Sequence, residues 1–429
     1  MPKPVIVYVT PKPPYPLTSG MAIRQFHLLR AYGDLGRIHL ATFYSDEAQR
    51  SAARSLDAHC ERVHFVSDRT MLGDSYKAGP RLLTASRRLR GYRPTAVTWS
   101  YSPEMARLLK ELSSAADIVH VGRLHMVSHV EGLLAQRRRP GMVLDLDDVE
   151  ASYRFRQLRH GPREPFLHRA YGYYDVARMW AYQARAVRRF DRVFVCSERD
   201  RRRFPRANVV VVPNGAHVPA SLPAHQPDGP TIIFCGLLSY SPNIDAVHFL
   251  VEEIFPRIQR AIPDARLMIV GRAPTPEIRA LDNGKTVVVA SDVASVTDFY
   301  GRAAIAAVPL RFGGGTRIKI LEAWAYGVPV VSTTIGREGL DGTDGRHLMV
   351  ADTPSDFAAR CVTLLRSPGS RDRLAMEGRR LVSERYRWED IGRRAVSDVA
   401  ALLQSRCGAG GAIIGQDSVT PASISPSGI

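Results

Sequence analysis

A tri-glycine segment between an apolar run and a helical pattern is the stretch of this sequence best suited to chemistry. Gly313, Gly314 and Gly315 follow the apolar run 305–310, whose length is typical of a buried strand. Glycine is unfavourable inside a helix, and apolar residues recur at helical spacing from Ile318 onwards. The pattern therefore predicts a strand, a glycine loop and a helix, in that order.

This arrangement favours binding of a phosphate group. The first backbone N–H groups of a helix have no partner within the helix and lie at the positive end of its dipole. Arg317 and Lys319 place two cations at this end, which the dipole disfavours, and an anionic ligand would explain them. Glu322 lies about one turn further along a helix that is otherwise apolar there. An ordinary glycine turn with Glu322 in solvent explains the same residues, because a glycine loop alone is a weak signal.

Length and composition indicate a globular protein of two or more domains. The chain has 429 residues, of which 45% are hydrophobic. It contains no run of about 18 apolar residues, so no transmembrane helix is predicted, and its first residues resemble a strand rather than a signal peptide. Five scattered cysteines fit no metal spacing and favour a reducing cytoplasm. The formal net charge of +17 suits nucleic acid, an anionic membrane or a phosphate-bearing substrate, but no nucleic-acid-binding motif is found.

Strand-like and helix-like segments alternate in both halves of the chain, which predicts an α/β fold with parallel sheets. A segment rich in proline and polar residues separates the halves, and the last residues are rich in Gly, Ser, Pro and Ala. The predicted divisions are a first domain (1–218), a linker (219–230), a second domain (231–384), a final helix (385–404) and a disordered tail (405–429).

Four carboxylates follow a predicted strand of the first domain, over residues 142–144. They belong to Asp145, Asp147, Asp148 and Glu150. Ligands of parallel α/β sheets bind at the carboxyl ends of the strands, so this cluster is a candidate for ligand contact. The four charges are expected to repel one another, and a bound metal ion is a second explanation.

Two basic segments of the first domain have two explanations each. Residues 151–192 contain ten arginines and three acidic residues, with nine aromatic residues interleaved, and residues 77–93 carry six basic residues between leucines. Both are compatible with helices that pack by their apolar side chains and expose a basic face. Both also suit an anionic membrane surface or a phosphorylated lipid acceptor.

The second half of the sequence resembles the sugar-donor signature of the retaining GT-B glycosyltransferases of group 1, which are family 4-like and transfer a sugar from a nucleotide diphosphate-sugar. The resemblance rests on the glycine loop and the run Lys-Ile-Leu-Glu-Ala-x-Ala-x-Gly-x-Pro-Val-Val that starts at Lys319. In that family two Glu residues flank seven others. Here the second is Glu322 and the first falls on Gly314. A sub-branch with a Gly-Gly-Gly-Thr-Arg-x-Lys-Ile loop shares this departure, and the resemblance spans roughly residues 4–400.

The resemblance implies two doubly wound Rossmann-like domains that face each other across a cleft, with the last helix crossing back onto the first domain. It implies that the sugar donor binds the second domain, where Glu322 hydrogen-bonds the ribose. The diphosphate-binding Arg and Lys of many members fall on Leu237 and near Asn243 here. Arg317 and Lys319 are therefore the cations expected to hold the diphosphate, together with the backbone N–H groups of residues 314–316.

On the first domain, the resemblance places a glycine loop near Gly20 and puts Asp147 where the family has a His that contacts the donor sugar. It also implies that the anomeric configuration is retained and that no metal or other cofactor is required. The residues predicted to be catalytic are Asp147, Lys319 and Arg317, and those predicted to bind the sugar donor are Gly20, Gly236, Asn243, Gly271, Gly314, Gly315, Thr316, Ile318 and Glu322.

These observations predict a glycosyltransferase of cell-envelope polysaccharide or glycolipid synthesis. Its expected partners are a nucleotide-sugar, a lipid-linked or saccharide acceptor and an anionic membrane surface, without nucleic acid. The expected location is the cytoplasm, with peripheral attachment to the inner face of the plasma membrane as a hypothesis. Two alternatives remain at this point: a nucleotide-sugar epimerase of the same architecture, and a relative without catalytic activity that binds a nucleotide-sugar or lipid.

Overall fold

The computed structural model describes residues 2–73, 92–160, 165–222, 227–293 and 295–411. Most of the basic segment 77–93 and the end of the predicted tail, from residue 412, lie outside the described residues. The described part forms two α/β domains, each built on a parallel sheet. None of its helices is both long and apolar enough to cross a membrane.

The first domain is built on a seven-stranded sheet in the order β3-β2-β1-β4-β5-β6-β7. All its recorded strand pairs are parallel. The central strands are rich in Val, Ile and Leu and are buried on both faces, as expected for a sheet with helices on each side. The strands are β1 (Val5–Thr10), β2 (Arg37–Tyr44), β3 (Arg62–Ser67), β4 (Ile118–Gly122), β5 (Gly141–Leu146), β6 (Arg192–Val195) and β7 (Val209–Val211).

The described helices of the first domain follow the alternation that the sequence predicts. The arginine-rich segment forms two helices rather than one, and the longer of them buries Val176, Met179, Tyr182 and Val187 among other residues. The helices are α1 (Gly20–Tyr32), α2 (Glu47–Ala52), α3 (Thr95–Trp99), α4 (Pro103–Leu112), α5 (Glu131–Leu134), α6 (Glu150–His160), α7 (Phe166–Arg189) and α8 (Glu198–Arg203), with 3-10 turns at Ala53–Ala58, Asp68–Thr70 and Leu124–His129.

The second domain has a six-stranded sheet in the order β10-β9-β8-β11-β12-β13. Its strand pairs are also parallel. In both sheets the order reverses beside the first strand of the domain, and such points form ligand crevices in open α/β sheets. The strands are β8 (Thr231–Cys235), β9 (Arg266–Gly271), β10 (Val287–Ser291), β11 (Ile305–Val308), β12 (Val330–Ser332) and β13 (Met349–Val350).

The helices of the second domain cover both faces of this sheet around one continuous core. The predicted strand, glycine loop and helix at residues 305–325 are all present. The helices are α9 (Ser241–His248), α10 (Phe255–Ala261), α11 (Pro276–Arg279), α12 (Thr297–Arg302), α13 (Ile318–Ala325), α14 (Pro354–Arg366) and α15 (Pro368–Arg385), with a π-helical segment at Phe249–Ile254.

The final helix, α16 (Trp388–Gly411), returns to the first domain as expected. Trp388 stacks on His27 of α1, with ring centroids 4.6 Å apart. Ile391, Val399 and Leu402 join the core on one face of the first sheet. The helix continues past its predicted end at residue 404 to Gly411, so residues 405–411, which were predicted to begin the disordered tail, are helical.

Candidate functional site

A cavity of 930 Å³ opens between the two domains at the carboxyl ends of both sheets. The first domain contributes the segments after β1, β4 and β5, and the second contributes those after β8, β9 and β11. All the residues predicted for the site lie along this one cavity: Gly20, Asp147, Gly236, Asn243, Gly271, Gly314, Gly315, Thr316, Arg317, Ile318, Lys319 and Glu322.

The tri-glycine loop has a backbone shape that requires glycine at two positions. Gly313 has a φ of +136° and Gly315 a φ of +67°, conformations that residues with side chains rarely adopt. Arg317 stabilises this shape, because its guanidinium donates to the carbonyls of Gly314 and Gly315, the latter at 2.9 Å, and to the Ile335 carbonyl at 3.3 Å. The guanidinium that was predicted to face a diphosphate is therefore directed at the loop backbone, and Arg317 precedes α13 rather than lying in its first turn.

Lys319 lies in the first turn of α13, and its side chain extends toward β8. Its Nζ donates to Oδ1 of Asn243 at 2.6 Å and lies 4.2 Å from the ring centroid of Phe234. Burial lowers the pKa of Lys319 to about 7. Gly236 allows this placement, because a Cβ at that position would lie 3.0 Å from the Lys319 Nζ and 2.9 Å from Nδ2 of Asn243.

Glu322 lies on α13 one turn after Lys319 and contributes to the cavity wall. Its side chain is half-buried, so the alternative in which it lies in open solvent is wrong. Burial raises the pKa of Glu322 to about 7, an effect opposed by Lys319 and Tyr300. A carboxylate with little water around it is suited to accept hydrogen bonds from ligand hydroxyl groups.

Two further glycines allow backbone segments to approach closely at the cavity wall. A Cβ on Gly271 would lie 1.8 Å from the Gly236 carbonyl oxygen, so β8 and β9 end in contact there. A Cβ on Gly20 would lie 3.1 Å from Cδ1 of Ile318, which places the start of α1 against the start of α13. Ser19 caps α1 by accepting a hydrogen bond from the Ala22 N–H at 3.2 Å.

Three of the four carboxylates at the end of β5 have a basic partner, which offsets the repulsion predicted among them. Asp145 is buried and accepts from Arg24, with Nη2 and Oδ1 2.6 Å apart. Asp147 accepts from Arg123 at 2.9 Å. Glu150 lies 3.4 Å from Nδ1 of His125. Among the described residues no group of three or more metal-binding side chains is placed to hold a metal ion.

Asp148 differs from its three neighbours, because its carboxylate crosses the cavity to the glycine loop. Its Oδ1 accepts a hydrogen bond from the Gly315 N–H at 3.1 Å. A Cβ on Gly314 would lie 2.0 Å from its Oδ2. Burial, with a smaller contribution from Asp147, raises the pKa of Asp148 to about 7.

Other contacts across the cavity also come from α6 and α8 of the first domain. The Tyr153 ring stacks on that of Tyr240, with centroids 6.3 Å apart and an angle of 14° between the planes. Glu338 of the second domain accepts from both Arg156 and Arg199. These contacts hold the two domains together on the side of the cavity where Asp148 lies.

The sequence analysis missed several residues of the site. Arg123 follows β4 directly and is a cation of the cavity wall. Arg272 follows Gly271 and is an exposed cation of the cavity wall. Asp148 was one of four acidic residues at a strand end, and no sequence signal separates it from the other three.

Comparison with known proteins identifies the second domain. Residues 229–367 match the family model Glycosyl transferases group 1. The second domain is therefore similar to group 1 glycosyl transferases. This domain contains the glycine loop, Lys319 and Glu322, and its match accounts for the resemblance on which the site was predicted.

Solved structures similar to the whole chain share the same two-domain architecture. HepE from Anabaena, solved with UDP and glucose, is 13% identical, has a TM-score of 0.62, and aligns over 93% of this chain and all of its own. Sucrose-phosphate synthase from Thermosynechococcus elongatus is 16% identical, with a TM-score of 0.65, over 94% of this chain and all of its own. The predicted GT-B fold of two facing Rossmann-like domains is confirmed.

A curated relative matches part of the chain. It is described as an uncharacterized 44.6 kDa protein in the cps region of Klebsiella pneumoniae and is 23% identical over 163 residues. The match covers 36% of this chain and 42% of the relative, so the alignment spans less than half of the relative's length.

Proposed function

We propose that the protein is a retaining glycosyltransferase that moves a sugar from a nucleotide diphosphate-sugar to a saccharide or lipid-linked acceptor. The observation that carries this proposal is the placement of the glycine loop, the Lys319 ammonium group and the Glu322 carboxylate along one cavity between two Rossmann-like domains. The group 1 match over residues 229–367 and the UDP complexes of HepE support it.

In this proposal Lys319 is the cation that holds the diphosphate. It lies at the amino end of α13, where the helix dipole and the first N–H groups also favour an anion. As the bond between the sugar and the diphosphate breaks, negative charge grows on the leaving phosphate, and a cation already fixed beside it stabilises that charge without rearrangement. Arg317 contributes indirectly, because it holds the loop carbonyls so that the neighbouring amides keep their direction.

The loop offers one further group for the sugar donor. Within the described structure, the hydroxyl of Thr316 is buried and has no hydrogen-bond partner. A buried hydroxyl without a partner costs about 1–3 kcal/mol, so a ligand that supplies one would be stabilised. Thr316 is therefore assigned to the diphosphate, and Glu322, farther along α13, to the ribose hydroxyls.

The acceptor is proposed to enter from the first domain, near Gly20 and Asp147. The cps-region relative supports an acceptor of polysaccharide synthesis. Phe166 and Leu167 at the start of α7 are 82% and 78% exposed and lie in the arginine-rich segment, which supports attachment to an anionic membrane surface. Vesicle co-sedimentation at low salt tests this attachment, and an unbound protein would contradict it.

The test of the proposed function is a screen of UDP-, GDP-, dTDP- and ADP-sugars by thermal shift, followed by transfer assays with the donor that stabilises the protein. NMR of the product should show the anomeric configuration of the donor, and turnover should be unchanged by EDTA. An epimer formed without an acceptor would contradict transfer, and binding without turnover would favour a relative that only binds nucleotide-sugars.

Variants of the site sharpen this test. Lys319→Ala should lower kcat/KM by at least about a hundredfold, since it removes the cation beside the leaving phosphate. Glu322→Gln should raise KM with a smaller effect on kcat. Lys110→Ala, an exposed lysine of α4 outside the cavity, is the matched control and should leave transfer unchanged.

A further inference from the structure

We propose that Asp148 of the first domain binds the sugar portion of the nucleotide-sugar, so that each domain supplies one part of the donor site. This inference rests on the proposed function and deepens it. Its starting observation is that the Asp148 carboxylate occupies the space that a side chain at position 314 would fill, with Oδ2 2.0 Å and Oδ1 2.1 Å from a Cβ built on Gly314. Gly314 does not have a positive φ, so the space, rather than the backbone conformation, excludes a side chain there.

The chemistry around Asp148 fits a hydroxyl group better than a phosphate. Its Oδ1 already accepts the Gly315 N–H, so a hydrogen-bond acceptor and a loop amide lie side by side on the cavity wall. A sugar hydroxyl can donate to the Asp148 carboxylate while that amide stays bonded to Oδ1, because a carboxylate accepts more than one hydrogen bond. A phosphate group offers only acceptor oxygens and negative charge at neutral pH, and the carboxylate would repel it. The sugar is therefore placed beside Asp148, and the diphosphate beside Lys319.

The surroundings of Asp148 hold it in this position. Asp147 is bound by Arg123 and Glu150 lies beside His125, so the residues on either side of Asp148 are tied to the segment after β4. The following helix contacts the second domain through Tyr153 and Tyr240. Asp148 thus reaches the loop only while the domains are together, and the sugar site is complete only in that arrangement.

Because Asp148 is expected to contact the sugar and not the nucleotide, binding of ligands with and without the sugar can test this placement. Calorimetry with UDP and UDP-glucose is the first pair of probes, replaced by the matching pair for another base if the donor screen selects one. Asp148→Ala should weaken binding of UDP-glucose at least about tenfold and change that of UDP less than about twofold. Asp148→Asn keeps the shape of the side chain but is a weaker hydrogen-bond acceptor. Its affinity for UDP-glucose should therefore lie between those of the wild type and Asp148→Ala. Equal effects on both ligands, or none on UDP-glucose, would overturn the inference and leave Asp148 as a contact between the domains.

A second experiment moves the carboxylate across the cavity. Gly314→Glu alone should lose transfer activity, because its Cβ would collide with Asp148. Combining Gly314→Glu with Asp148→Gly removes the collision and places a carboxylate beside the same part of the cavity. The double variant should have a kcat/KM at least about tenfold higher than that of either single variant. Its Tm should be measured to confirm that it is folded. If its Tm equals that of the wild type and kcat/KM is not recovered, the inference is contradicted. If the wild type binds none of the four nucleoside diphosphates, the proposed function fails instead.

Discussion

The Nζ of Lys319 lies 2.6 Å from Oδ1 of Asn243, and this pair joins the start of α13 to the start of α9 at the edge of the cavity. The asparagine is neutral, so it directs the ammonium group without cancelling its charge. Because burial lowers the pKa of Lys319 to about 7, the unliganded protein holds it near half-ionisation at neutral pH. A bound diphosphate would favour the charged form, so binding and protonation of Lys319 are expected to be linked.

We therefore predict that binding of a nucleoside diphosphate weakens as the pH rises from about 6.5 to 8.5. Above its pKa Lys319 must take up a proton to bind, which reduces the affinity by up to about tenfold per pH unit. Ionisation of Glu322 in the same range acts in the same direction. Calorimetry in buffers of different ionisation enthalpy should show proton uptake by the wild type and less by Lys319→Arg, whose guanidinium stays charged. Affinity that rises with pH would contradict this assignment.

The buried Arg24–Asp145 pair should contribute strongly to the stability of the first domain. Arg24 also donates to the Val212 carbonyl at 2.8 Å and to Oδ1 of Asn214 at 3.1 Å, so it ties α1 to the end of the domain. Arg24→Met leaves the Asp145 charge buried without its partner, which typically costs about 3–5 kcal/mol. Chemical denaturation should show this loss in the free energy of unfolding.

The matched control for that loss is the exposed pair between Arg385 and Asp341, whose side chains are 60% and 54% exposed. Arg385→Met should change the free energy of unfolding by less than about 1 kcal/mol. Similar losses in the two variants would show that the buried pair has no special role.

Asp148 should make the stability of the protein depend on pH. Its pKa is about 7 when folded, whereas an unfolded Asp titrates near 4. The folded protein therefore retains a proton that the unfolded chain releases between these values, and stability falls as the pH rises from about 4 to 7. Asp148→Asn has no carboxyl group at this position and should not lose stability in this way. The difference between its Tm and that of the wild type should therefore increase by about 2–4 °C from pH 5 to pH 8. A constant difference across that range would exclude this effect.

Gly271→Ala should destabilise the second domain by at least about 2 kcal/mol, because its Cβ would lie 1.8 Å from the backbone carbonyl of Gly236 and cannot be accommodated by a side-chain rotation. Gly369→Ala in α15 is the control, since a Cβ there meets nothing within 4 Å. Denaturant titration should show a loss only for the first variant. A stable Gly271→Ala protein would mean that β8 and β9 separate easily at the cavity wall.

Much of the fold could be predicted from local patterns. Apolar runs of strand length and the helical spacing of Ile318, Leu321 and Ala325 predicted the strand, loop and helix around the glycines, because these preferences act over a few residues. The break between α6 and α7 was not predicted, although Gly161, Pro162 and Pro165 stand between the two helices in the sequence and are residues that end helices.

The sequence by itself determined that glycines, two cations and a carboxylate occur together at the start of one helix. Only the tertiary structure decided how they divide their roles: Arg317 bonds to carbonyls of its own loop, while Lys319 and Glu322 face the cavity. It alone brings Asp148 to Gly314 and Gly315, far along the chain. The reason is physical, because the direction of a long side chain and a contact between domains depend on packing against distant residues, which local spacing does not record.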